Sequence, residues 1–155
     1  MELIKIIKKI IKKQLFQPNL LGILVNPAYI TRNGLYRNIK KYSSKINGNV
    51  LDFGCGTKPY LNLFKHVKTY TGCEIENSVH KYESTIVEDV YTGTKLPYKD
   101  SSFDAIISFE VFEHVFNLPE ILLELNRVVK PNGYLLATIP FGLGEHEVPN
   151  DFARY

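Results

Sequence analysis

The sequence has only two cysteines and no tryptophan. Cys55 and Cys73 lie in or beside expected turns, without metal-type spacing. That excludes a disulfide framework and a cysteine-built zinc site, and it points to a reduced, cytoplasmic pair. A membrane-spanning run is also missing, because the apolar stretch near the amino terminus is broken by lysines every few residues. Nothing resembles a signal peptide. Repeats and low-complexity stretches are absent as well, as is a strong charge of one sign in the body. Of 19 Lys and Arg and 16 Asp and Glu, residues 1–16 take five lysines and one glutamate, which leaves 14 bases against 15 acids. The basic character belongs to an arm, and the body carries no nucleic-acid signature. At 155 residues the chain is long enough to bury one real core.

The arm, "MELIKIIKKIIKKQLF", puts Leu3, Ile4, Ile6, Ile7, Ile10, Ile11 and Leu15 on one helical face and its lysines on the other, and it stops at Pro18. A basic amphipathic helix of residues 1–17 serves either as a membrane-surface or partner anchor, or as a helix laid on its own domain. Residues 18–48 read as an irregular lead-in ending in a helix from about Leu35 to Ser43. From residue 49 onward, strands alternate with helices. "GNVLDF", "TYTGCEI", "STIVEDV", "FDAIISFE" and "YLLATIP" read as strands, with helices at "KPYLNLFKHV" and "LPEILLELNRVV" and a break at "KPNG". Such alternation predicts βαβ units, and hence a doubly wound, mostly parallel sheet of the α/β class.

The first strand runs into "GCGTKP", a turn with Gly54 and Gly56 that sits where open parallel sheets bind small molecules. A dinucleotide site needs a third glycine where Pro59 stands, and a phosphate-binding loop needs a Gly-Lys-Ser/Thr that never follows. A ligand with an adenosine but no pyrophosphate fits better. Glu74 ends the second strand, where a carboxylate accepts both hydroxyls of an unphosphorylated ribose. Asp89, expected to end the third strand, is placed to accept from an adenine amino group. Each acid is also the kind of residue that decorates a solvated loop.

In this order, "VLDFGCGTKPY", "YTGCEIE", "LPYKDSSFDAIISFEVFEHV" and "LNRVVKPNGYLLATIPF" resemble the class I S-adenosylmethionine-dependent methyltransferases, and most closely the bacterial small-molecule and glycan-pathway type. The resemblance runs from about Asn49 to Tyr155. It implies a Rossmann-like seven-stranded sheet, of which this chain lacks the last strands, and S-adenosylmethionine as the cofactor. It also implies that Asp52, Gly54 and Gly56 line the methionine and ribose side, that Glu74 holds the ribose and Asp89 meets adenine. Phe109 and Glu110 would border the methionine moiety. Lys58 stands where many relatives have a third glycine; it would pair with the cofactor carboxylate or remain solvated.

For an acceptor hydroxyl a general base is needed, and His146 in the tail "FGLGEHEVPNDFARY" is the candidate. "EVFEHV" spaces Glu110, Glu113 and His114 as one helical face, which with His146 would resemble the metal site of some relatives. Metal-free relatives carry a similar pair, so the metal stays open. The implied acceptor is a small molecule or a glycan- or lipid-linked group, with no nucleic acid. The implied location is the cytoplasm, with residues 1–16 at the inner membrane surface. Two alternatives remain: a cofactor-binding module without turnover, and a peripheral membrane interaction protein.

Overall fold

The computed structural model describes residues 10, 11, 13–20, 22–76 and 87–140. Five strands, β1 (Asn49–Phe53), β2 (Thr69–Ile75), β3 (Asp89–Tyr91), β4 (Phe103–Phe109) and β5 (Val129–Thr138), form one sheet in the order β3-β2-β1-β4-β5. Every neighbouring pair is parallel, as the alternation of strands and helices predicts. The chain winds outward from β1 to β3 on one side and then restarts at β4 on the other. That reversal falls between β1 and β4, and the carboxyl ends of these strands are the usual ligand position in such sheets.

Among the described residues, 10, 11 and 13–16 are helical, followed by helices α1 (Gly22–Val25), α2 (Tyr29–Ser43) and α3 (Leu118–Val128). α3 follows Asn117 and has a proline in its first turn, where the missing N–H costs nothing. It buries Ile121, Leu125 and Val128, spaced for one helical face, in a core with Leu51, Phe53 and Ile106. Burying each such side chain contributes about 1.5–3 kcal/mol. Arg127 ties the end of α3 to the loop before β4: its guanidinium donates to Asp100 at 2.7 Å and to the Tyr98 carbonyl at 2.8 Å.

The chain divides into two compact units. The described residues of one fall within Met1–Lys45 and Pro59–Lys65, those of the other within Ile46–Lys58 and His66–Tyr155. In the first, the Asn26 amide donates to the Gln14 carbonyl at 3.0 Å and Gln14 Oε1 accepts from the Asn19 N–H at 2.9 Å. The second holds the whole sheet.

Four expectations shift. α2 begins at Tyr29, earlier than Leu35, because Asn26 Oδ1 accepts from the Ala28 N–H at 2.9 Å and starts the helix there. Within it, Asn38 donates to the Gly34 carbonyl at 2.9 Å. "KPYLNLFKHV" forms only a 3-10 turn at Leu61–Phe64, and its first residue, Lys58, takes a left-handed φ of 49°. β3 starts at Asp89 because it pairs only with the last three residues of β2; residues 77–86 lie outside the described residues. "KPNG" bulges within β5 instead of preceding it: the strand goes from Val129 to Tyr134 while its partner goes from Phe103 to Ala105. Asn132, at a φ of 63°, absorbs the excess.

Candidate functional site

The turn after β1 is fastened to β2. The Gly54 and Cys55 N–H groups both donate to the Cys73 carbonyl, at 2.9 and 3.2 Å. Gly54 has a φ of 71°, and a Cβ there would stand 2.5 Å from Val111 Cγ2, in the segment after β4. Protein packing therefore demands this glycine. Gly56 differs: its φ is 49°, and no heavy atom lies within 4 Å of where a Cβ would be. Its N–H donates to Glu74 Oε2 at 3.0 Å, and the Ile75 N–H donates to Glu74 Oε1 at 3.1 Å. A carboxylate has about four lone-pair sites. Glu74, buried at the end of β2, keeps acceptor capacity beside an open backbone.

Asp52 lies one strand over and is 5% exposed. The Tyr70 hydroxyl donates to its Oδ2. Burial drives Asp52 up to about 7; Tyr70 and the Lys58 ammonium pull it down, while Glu74 and Glu88 push it up. Lys58 does not stay solvated. It folds back over β2 and donates to Glu88 Oε1 at 2.6 Å, with its side chain 7% exposed. Glu88 Oε2 also accepts from the Gly72 N–H at 2.6 Å. Burial raises the Glu88 carboxyl, but these donors outweigh it and hold the group below the ordinary carboxylate range. The Cys55 thiol is pushed far up by burial first and by the Asp52 charge next, so it is no nucleophile.

Asp89 opens β3 instead of ending it; its register partner is Cys73, and its Oδ2 accepts from the Tyr98 hydroxyl at 3.0 Å. It still stands at the carboxyl edge, because β3 runs only along that edge. Phe109 ends β4 opposite Thr138. Glu110 turns the chain with a φ of 56°, and its N–H donates to the Thr138 carbonyl at 3.1 Å. The expected helical face of Glu110, Glu113 and His114 does not form. A 3-10 turn at Phe112–His114 follows instead and buries Glu113 completely, with His114 Nε2 3.7 Å from its Oε1. Among the described residues no three His, Cys, Asp or Glu side chains gather as metal ligands would. His146 lies outside the described residues.

The site thus brings together Asp52, Gly54, Gly56 and Glu74 at one edge, with Asp89, Phe109 and Glu110 along it. Sequence reading missed Tyr70 and Glu88. Strand alternation was the available signal, because Tyr70, Gly72 and Glu74 share one face of β2, next to Val50 and Asp52. A surface cavity bounded by Ser101, Arg127 and Asn132 lies at the opposite edge of β4 and β5. Of its cations, Arg127 is already paired with Asp100 and Glu124, and Lys130 with Asp104.

Residues 51–137 match the family model described as a methyltransferase domain. Among curated proteins, the chain is 30% identical over 139 residues to uncharacterized protein MJ0638 of Methanocaldococcus jannaschii, covering 87% of this chain and 61% of that protein. It is 35% identical over 95 residues to a tRNA (carboxymethyluridine(34)-5-O)-methyltransferase of Arabidopsis thaliana, covering 58% of this chain and 23% of that one. It is 33% identical over 101 residues to a ubiquinone biosynthesis O-methyltransferase of Maricaulis maris, covering 58% and 40%. The crystal structure of PH0226 protein from Pyrococcus horikoshii OT3 superposes with a TM-score of 0.57 at 25% identity, over 76% of this chain and 57% of that one. The chain spans less than two thirds of the length of each of these relatives.

The buried Asp52 makes stability depend on pH. Unfolded, it ionises near its ordinary 3.8; folded, near 7. Between these values the folded chain holds a proton that the unfolded chain has lost, so stability falls as pH rises through that window. Asp52→Asn removes this loss. In urea melts of the ligand-free protein, the variant gains on the wild type by about 1–3 kcal/mol across the window. A difference that is flat with pH contradicts the placement of Asp52.

Proposed function

The chain belongs to the class I S-adenosylmethionine-dependent methyltransferase family, and on that premise we propose that it binds S-adenosylmethionine at the carboxyl edge of β1, β2 and β4 and methylates an acceptor oxygen. One observation carries the donor reading: Glu74 is held by the Gly56 and Ile75 N–H groups with lone pairs to spare, beside a glycine that faces open space. That cradle suits a ribose diol and the backbone-close part of a nucleoside. When bound, the donor supplies a methyl carbon already activated by its sulfonium leaving group. The protein's share is to hold and align it: Glu74 accepts from the ribose, Asp52 faces its charged end, and Asp89 meets the adenine amine. His146 is the proposed base for the acceptor hydroxyl.

The proposed acceptor is a small molecule, glycan or lipid-linked group at a membrane surface. Support comes from the arm and the residues after it. Ile10, Ile11 and Leu15 are exposed while Gln14 is buried, and Leu20, Ile23, Leu24 and Ile30 are exposed too. Lysines at positions 5, 8, 9, 12 and 13 add the charge that anionic lipid attracts. The ubiquinone relative fits such an acceptor, whereas the tRNA relative marks the competing class.

Calorimetry with S-adenosylhomocysteine tests the donor site without requiring turnover. Glu74→Ala weakens binding by about 1–3 kcal/mol, since two charge-assisted bonds to the ribose vanish. Unchanged affinity removes Glu74 from the site. Co-sedimentation tests the acceptor side: binding to vesicles containing phosphatidylserine falls steeply with salt and with Lys8→Gln and Lys9→Gln. Equal binding to neutral vesicles, or tRNA outcompeting them, contradicts the membrane assignment.

A further inference from the structure

Lys58, Tyr70 and Glu88 have no role in the donor reading, yet they form one continuous structure behind the glycine turn. Glu88 accepts from Lys58 Nζ at 2.6 Å, Lys58 Nζ sits 5.8 Å from the centre of the Tyr70 ring, and the Tyr70 hydroxyl donates to Asp52. Gly72 makes room for the crossing: a Cβ there would collide with Lys58 Cε and stand 2.9 Å from Glu88 Oε2. The Tyr70 hydroxyl carries this structure to Asp52, a buried carboxylate of the ligand edge. Lys58, committed to Glu88, is not available as a partner for a donor carboxylate.

We infer that Tyr70, Lys58 and Glu88 are positioning residues that set the charge Asp52 presents to the donor, and thereby make the site prefer the cationic donor over its neutral thioether product. This rests on the donor reading above. The preference follows from electrostatics: the sulfonium carries a positive charge that the product lacks, so an ionised carboxylate at the ligand edge attracts the donor more strongly. Every group facing Asp52 enters the balance. β2 presents Tyr70 and Glu74, the turn presents Cys55 and Lys58, and the segment before β3 presents Glu88. β4 places the neutral Ile107 opposite. Tyr70 and Lys58 favour the ionised form, whereas Glu74 and Glu88 oppose it. Removing a member of either set therefore moves the ionisation of Asp52 in opposite directions.

The test pairs carboxyl-carbon NMR titration of the ligand-free protein with calorimetry of S-adenosylmethionine and S-adenosylhomocysteine across the same pH range. Tyr70→Phe moves the Asp52 midpoint to higher pH, and Glu88→Gln moves it lower. In each protein the donor-over-product affinity ratio rises through that protein's own midpoint, by a factor on the order of ten. Lys58→Met, which moves the midpoint up, supplies the second point if Glu88→Gln does not fold. A structural role alone lowers melting temperature and both affinities but leaves midpoints and ratio in place, and that result overturns the inference. Midpoints that move while the ratio stays flat also overturn it, with donor binding intact. Failure to bind either ligand overturns the donor reading itself, and this inference with it.

Discussion

The register of β1 against β2 is the constraint on which the rest depends. Asp52 stands opposite Gly72 and Phe53 opposite Cys73. That pairing lets the Cys73 carbonyl take both N–H groups of the turn, and it brings the Glu74 carboxylate within reach of the Gly56 N–H. A slip of β1 by one residue would send Asp52 to the face opposite Tyr70 and Glu74 and bring Leu51 and Phe53 out of the core. The apolar core therefore enforces the polar site: the packing of Leu51, Phe53 and Cys73 with Ile121 and Leu125 forbids the alternative pairing.

The site accumulates acid where burial disfavours it. Asp52 and Glu74 are buried, Glu88 and Asp89 are close by, and Lys58 is the one cation that this cluster holds among the described residues. Each carboxylate is offset differently. Glu74 is met by backbone N–H groups, Glu88 by an ammonium and a backbone N–H, Asp89 by the Tyr98 hydroxyl, and Asp52 by the Tyr70 hydroxyl. Burial pushes the Asp52 carboxyl up to about 7. A cationic ligand is the natural complement to such a cluster, because it restores the balance that the fold leaves short.

Much of this is legible in the amino-acid sequence itself. Apolar runs and helical spacing located β1, β2, β4 and α3, since burial on both faces of a parallel sheet writes itself as continuous hydrophobic runs. The glycine turn and Glu74 followed from their place at strand ends. Less legible was what depends on long-range crossing. That Lys58 folds over β2 needs Gly72 beneath it, and that "KPNG" bulges into β5 needs the register with β4. Gly54 was read as room for a ligand, whereas Val111, distant in sequence, is what fills that space. Local spacing misjudged "EVFEHV", because the left-handed Glu110 breaks the helix that i, i+3, i+4 counting presumes.

The central claim is that the donor occupies the carboxyl edge at the β1–β4 reversal. Backbone amide chemical shifts recorded during titration with S-adenosylhomocysteine test it most directly. The account predicts the largest changes at Gly54, Gly56 and Ile75, where N–H groups frame the open backbone and the Glu74 carboxylate. Changes centred instead on Ser101, Arg127 and Asn132, at the cavity of the opposite edge, would contradict it.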